Sequence, residues 1–160
     1  MYKSPADMAK EIRTALKEKG ITSRQVSVRS GYCGYSDYIH AYIKDCSIDI
    51  RDIEKAVAKY ESIRYDEYTQ EILSGANTYT RVEYNDDAFD AVIPKYLDDA
   101  KSYMEQIQDF TGADLGNEFY LFKENGRYIV HDNNTYTRTC IYSPKQLARE
   151  LYMIETHKHI

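Results

Sequence analysis

The side chains best equipped for chemistry in this 160-residue chain gather in one stretch, residues 26–44. Cys33 sits in the run Ser30-Gly31-Tyr32-Cys33-Gly34, and His40 lies between Tyr38 and Tyr42 with Asp37 and Asp45 close in sequence. A thiol among exposed loop amides can be reactive, and a histidine becomes a general base when a carboxylate orients it beside a nucleophile or proton donor. The stretch supplies no such ordered set, so ordinary hairpin roles for Cys33 and His40 compete with a catalytic pairing and no catalytic residue is assigned. No phosphate loop, dinucleotide fingerprint or zinc-protease helix occurs. Cys33, Cys46 and Cys140 are odd in number and form no paired motif, which supports neither a disulfide framework nor a zinc knuckle. His157, Lys158 and His159 stand at a terminus, a poor place for a defined metal site, and neither metal nor cofactor is expected.

Binding chemistry is better represented. Arg29, Tyr38, His40, Tyr42 and Lys44, with Arg24 nearby, combine rings that can stack on unpaired bases with cations that can meet phosphates. The competing reading of this group is a tyrosine-rich sheet face packed by residues 62–74. A second candidate surface is acidic. Residues 71–120 carry eleven acidic against three basic side chains, whereas the flanking segments are close to balance within a net charge of −5. Asp86, Asp87, Asp90, Asp98, Asp99, Glu105, Asp109 and Asp114 could meet an arginine-rich groove by imitating spaced phosphates. A solvated acidic helix that aids solubility is the plainer explanation.

The elements that must position these residues follow from periodicity. Residues 26–44 read as an antiparallel hairpin, and alternation sends Tyr35, Asp37, Ile39, Ala41 and Ile43 one way and Ser36, Tyr38, His40, Tyr42 and Lys44 the other. Ile39, Ala41 and Ile43, with Val26 and Val28, then face a helix layer and leave Tyr38, His40 and Tyr42 open. Ser4-Pro5-Ala6-Asp7 starts the first covering helix, with serine as cap, proline in the first turn and an acid near the orphan amides. Met8, Ile12, Ala15 and Leu16 share its face, and Gly20 ends it. Asp49 caps a second helix carrying Ile53, Ala56, Val57 and Tyr60. Residues 62–74 combine turn character at Tyr65-Asp66-Glu67-Tyr68 with a possible short helix through Ile72 and Leu73. Residues 77–84 form a strand that completes a small sheet, giving an α-β-β-α-β module over residues 4–84.

Residues 85–160 form the second predicted region. Asn85-Asp86-Asp87 starts a long acidic helix whose apolar stripe runs from Phe89 to Ile107, which Pro94 kinks or restarts and from which Phe110-Thr111-Gly112 exits. Residues 118–131 form a hairpin around Asn125-Gly126, both of which tolerate positive φ. Residues 136–142 add a third strand, and Ser143-Pro144-Lys145-Gln146 caps a terminal helix buried through Leu147, Ala148, Leu151 and Tyr152. The fold class predicted is α+β: a small antiparallel sheet packed by helices, then the acidic helix, a second small antiparallel sheet and a terminal helix. Seventeen tyrosines and no tryptophan suit strands with one exposed face. The lack of an 18-residue apolar run or a charged leader predicts a cytoplasmic protein away from membranes.

Val28-Arg29-Ser30-Gly31-Tyr32, Gly34-Tyr35-Ser36 and the strand after them, followed by the helix over residues 50–60, resemble a small domain attached to large polyvalent proteins of phages and conjugative elements. The resemblance covers residues 4–84. Cys33 and the tyrosine-rich strand depart from its serine-rich, tryptophan-bearing pattern, and it carries no active-site pattern. It implies a mobile-element setting, in which accessory proteins act against host restriction or RNA-guided defence. Joined to the acidic segment, it suggests a non-enzymatic anti-defence protein of the anti-CRISPR or anti-restriction type. Such a protein would inhibit a host nuclease or surveillance complex through Asp86, Asp87, Asp90, Asp98, Asp99, Glu105 and Asp109. The alternative is a nucleic-acid-binding accessory module using the tyrosine-rich face; oligomeric state is left open.

Overall fold

The computed structural model describes residues 3–73, 77–109 and 111–156. Ser74, Phe110 and the terminal His157, Lys158 and His159 lie outside the described residues. The chain forms two compact units, Met1–Ala88 and Phe89–Ile160. It is an α+β fold: an α-β-β-α-β unit, then a long helix, a further sheet and a terminal helix.

The first unit runs α1 (Pro5–Glu18), β1 (Val26–Cys33), β2 (Ser36–Ile43), α2 (Ile50–Ala58) and β3 (Thr78–Tyr84). The Ser4 hydroxyl accepts from the Asp7 amide at 3.2 Å with Pro5 in the first turn of α1, and the Asp49 carboxylate accepts from the Arg51 amide at 2.9 Å at the start of α2. Each cap satisfies an amide that the helix leaves without an internal acceptor. β2 is the central strand, antiparallel to β1 and parallel to β3, with α2 in the crossover that a parallel pair requires. Both helices pack on one face of this sheet. Val26, Val28, Ile39, Ala41, Ile43 and Tyr84 supply the sheet side of the core, and Met8, Ala9, Ile12, Leu16, Ile53 and Val57 the helix side. Each large aliphatic buried here contributes about 1.5–3 kcal/mol relative to leaving it in water. The Tyr84 hydroxyl donates to the Ile48 carbonyl at 2.7 Å, and the Arg13 guanidinium donates to the Val28 carbonyl of the edge strand β1 at 2.7 Å.

Residues 62–73 form a turn, not a helical extension. Tyr65 bridges Ile72, Ser62 bridges Thr78 antiparallel beyond β3, and the Asp66 carboxylate accepts from the amides of Thr69 and Tyr68. Those two bonds hold the Asp66 carboxyl below its ordinary range.

The second unit contains α3 (Ile93–Gln106), β4 (Gly112–Gly116), β5 (Phe119–Glu124), β6 (Arg127–Asp132), β7 (Thr137–Ile141) and α4 (Pro144–Thr156). α3 begins eight residues later than its sequence pattern suggests. Residues 86–92 are turns, and Pro94 occupies the first helical turn, where a missing N–H is harmless; placed deeper, its ring would collide with the carbonyl of residue 90. The sheet is an antiparallel meander, β4-β5-β6-β7. Its first strand, Gly-Ala-Asp-Leu-Gly, lies between the helix exit and the hairpin, where the sequence pattern assigns no element, and a bulge lies between Asp114 and Gly116. The Asn125-Gly126 bend closes β5 on β6 with φ of 51° and 76°. Phe119, Leu121, Val130 and Ile141 form the buried side, and the Tyr128 hydroxyl donates to the Met104 carbonyl of α3 at 2.7 Å. α3 packs on α4 through Tyr96 and Tyr152, with Phe89 of the preceding turn against the same Tyr152 ring, and the Tyr96 hydroxyl donates to Glu155 at 2.5 Å, which raises its pKa. No helix among the described residues is long and apolar enough to cross a membrane.

Glu150 of α4 is part-buried, and burial pushes its carboxyl above the ordinary range, with Arg149 only partly offsetting the effect. A carboxyl raised on folding holds its proton after the unfolded chain has released it, so its penalty is absent below the unfolded value near 4.5, grows as pH rises from there to the folded value, and is fully present above it. Glu150→Gln is therefore expected to raise Tm by a few degrees at neutral pH and to leave it unchanged near pH 4, measured by thermal denaturation across that range.

Candidate nucleic-acid interface

The face of the first sheet opposite the helices is built by register. Ser27 pairs with Tyr42, Arg29 with His40 and Gly31 with Tyr38 across the antiparallel side, while Tyr79, Arg81 and Glu83 stand beside Tyr38, His40 and Tyr42 across the parallel side. Arg29, Tyr38, His40 and Tyr42 are thus brought onto one surface, and Lys44 continues it just past the end of β2. Arg24 lies on the turn before β1 and is exposed. Tyr38 and Tyr79, cross-strand neighbours, are 39% and 37% exposed, so part of each ring is open to solvent.

The polar groups of the face form a chain of contacts. The His40 ring stacks on Tyr42 with centroids 3.9 Å apart, and the Arg29 guanidinium carbon is 5.3 Å from the Tyr42 ring centre, within cation–π range. His40 Nε2 is 2.9 Å from Glu83 Oε1, at ion-pair distance but out of line for a hydrogen bond, and Glu83 Oε2 is 2.6 Å from the Arg81 guanidinium. Glu83 is therefore close to both His40 and Arg81, the pair that follows the exposed tyrosines along the sheet. At the other end Gly31 makes room for an aromatic ring. A methyl placed on it would lie 2.7 Å from the Tyr38 hydroxyl and 2.9 Å from the ring carbons, so the ring lies directly over this residue.

Catalytic geometry is not assembled here. Cys33 pairs with Ser36 and His40 with Arg29, a separation of four residues along the strand, or about 13 Å at strand rise. Asp37 is buried on the helix side, and the Asp45 carboxylate accepts from Ser47 and Gln25, bonds that hold its pKa below the usual range. Neither orients His40; Glu83 does. Among the described residues no group of three or more His, Cys, Asp or Glu side chains could hold a metal ion. Tyr79, Arg81 and Glu83 were legible as one side of a strand, but their place beside Tyr38, His40 and Tyr42 comes from the parallel crossover, which no local pattern announces.

The acidic residues are dispersed. Asp86 and Asp87 belong to the first unit, and Asp90, Asp98, Asp99, Glu105 and Asp109 to the second. Asp90 pairs with Lys145 at 3.1 Å, and Asp98 lies 3.9 Å from Lys101. Asp99 borders a groove with Tyr96 and Tyr103, whereas Glu105 and Asp109 border an open hollow that also contains Lys101 and Lys123. Asp86, Asp87 and Asp90 precede the helix on which they were expected. Asp114 accepts from the Gly116 amide at 2.7 Å and is occupied in the β4 bulge. No protein-family model matches the chain, and neither a curated protein nor a solved structure matches it, so the open face of the first unit is the ground on which a functional reading rests.

Proposed function

We propose that the first unit is a single-stranded nucleic-acid-binding module acting through its open sheet face. The observation that carries this reading is the adjacent pair Tyr38 and Tyr79, exposed on one face and flanked by Arg29 and Arg81. Unpaired bases stack on such rings without demanding a particular sequence, and the guanidinium groups meet the phosphates between them. Glu83 is compatible with that task because its charge is met by the Arg81 guanidinium. The acidic balance of the chain opposes long-range attraction, so stacking supplies most of the affinity and few counterions are released.

A second reading keeps the non-enzymatic inhibitor of a host nuclease or surveillance complex suggested by the sequence. Its support is the solvent exposure of Asp98, Asp99 and Glu105 on α3, available to a basic partner. Two of the seven acids are already beside lysines, and the set is divided between units, which gives this reading the narrower base.

Tyr38→Ala and Tyr79→Ala are each expected to weaken binding of a single-stranded oligonucleotide by about 1–3 kcal/mol. The salt slope should stay shallow, near −2 for about three phosphate contacts. Fluorescence anisotropy across a salt series measures both, and affinities untouched by either substitution would refute the stacking face. Gly31→Ala provides an independent check, because it displaces the Tyr38 ring while leaving the tyrosine in place; its affinity should fall toward that of Tyr38→Ala with little change in Tm. Charge reversal at Asp98, Asp99, Glu105 and Asp109 should leave oligonucleotide binding intact. Loss of a captured nuclease in that variant, with no oligonucleotide binding by the wild type, would transfer the function to the acidic surface.

A further inference from the structure

At the foot of the open face, where β1 and β2 meet the chain leaving β3, a cavity of about 170 Å³ is lined by Ser27, Arg29, Tyr42, Lys44 and Asn85. We infer that this cavity is a phosphate-binding site. The inference rests on the nucleic-acid reading of the face for the source of the phosphate, and it assigns the group that the site holds.

The lining chemistry selects an oxyanion. It presents a guanidinium, an ammonium, a hydroxyl and an amide, and no carboxylate. The nearest acid by register, Glu83, stands beside Tyr42 on the β3 side and is not among the residues that line the cavity. Glu83 is in any case engaged by His40 and Arg81. Asp45, next in sequence to Lys44, is occupied by Ser47 and Gln25. Asp86, next in sequence to Asn85, is exposed and does not line the cavity, whose walls carry two cations and no carboxylate. Arg29 is held by Tyr42, which limits the freedom it must lose on binding.

Size and donor number narrow the ligand. The cavity has room for a tetrahedral anion and opens to solvent, so the rest of a strand can lie outside it. Donor groups on four of the lining side chains suit the several oxygens of a phosphate better than the two of a carboxylate. A phosphate fixed here places the rest of the strand along the face toward His40, Tyr38 and Tyr79, so the site also sets which way the strand runs. The phosphate can be a terminal monoester or a diester of the backbone.

The test titrates inorganic phosphate, with chloride as the control anion, into the isotope-labelled full chain. The amide and side-chain NMR signals of Ser27, Arg29, Tyr42, Lys44 and Asn85 are then followed. Phosphate-specific shifts confined to this set, weakened about tenfold by Lys44→Ala and by Asn85→Ala, are the expected result. Absence of shifts at tens of millimolar phosphate, or equal shifts with chloride, would overturn the site. Oligonucleotides of one length with a 5′-phosphate, a 3′-phosphate or hydroxyl ends separate the sources. A preference for one phosphorylated end that Lys44→Ala removes assigns a terminal monoester, and equal affinities that all fall in Lys44→Ala assign a backbone diester. Oligonucleotide binding that needs Tyr38 yet ignores Lys44→Ala and competing phosphate overturns the phosphate site and leaves the stacking face standing. Phosphate shifts without any oligonucleotide binding leave the site standing and remove the nucleic-acid reading.

Discussion

The alternation of β2 is the constraint on which the first unit depends. As the central strand it must satisfy an antiparallel neighbour on one side, a parallel neighbour on the other, a helix layer beneath and solvent above. Ile39, Ala41 and Ile43 meet the lower demand with almost no exposed surface, which compels Tyr38, His40 and Tyr42 upward. A slip of one residue would exchange these sets and bury two tyrosines and a histidine against α1 and α2, so hydrophobic burial fixes the polar face as firmly as it fixes the core.

The first sheet then assembles a surface from three separate sequence segments. β1 contributes Arg29 and the open space at Gly31, β2 the stacked His40 and Tyr42, and β3 the carboxylate that steadies His40 and Arg81. The parallel pairing of β3 is decisive, because it sets Tyr79 beside Tyr38 and Glu83 beside Tyr42 at the same time. An antiparallel β3 over the same residues would set Glu83 beside Tyr38 and Tyr79 beside Tyr42, parting the two exposed rings.

Much of this was legible where the signal is local. Ser4 and Asp49 cap their helices, Asn125-Gly126 turns its hairpin, and the period-two pattern of residues 36–43 separates core from face. The failures are also physical. β4 has glycine at both ends and no β-branched residue, and it exists because β5 offers it an edge. The first turn of α3 was misplaced because apolar Phe89 and acidic Asp86 and Asp87 imitate a helix start, whereas Pro94 decides where the backbone can enter the helix. The partner of His40 was unreadable since Glu83 is forty-three residues away and reaches it only through tertiary register. Charge was the least informative signal, because it counts acids without showing that Asp90 faces Lys145 or that Asp114 is committed to a turn.

The contact between Arg13 and the Val28 carbonyl bears on how other chains can approach. β1 and β3 are the outer strands of the first sheet, and the unpaired backbone of such strands invites a further strand to add on. Here the guanidinium of Arg13 occupies a carbonyl of β1, and Ser62 pairs with Thr78 at the start of β3. Both borders are therefore partly claimed by the chain itself. A peptide seeking main-chain pairing finds those positions taken, and self-association by strand addition is discouraged in the same way. Recognition is directed to side chains, across the broad surface of the sheet.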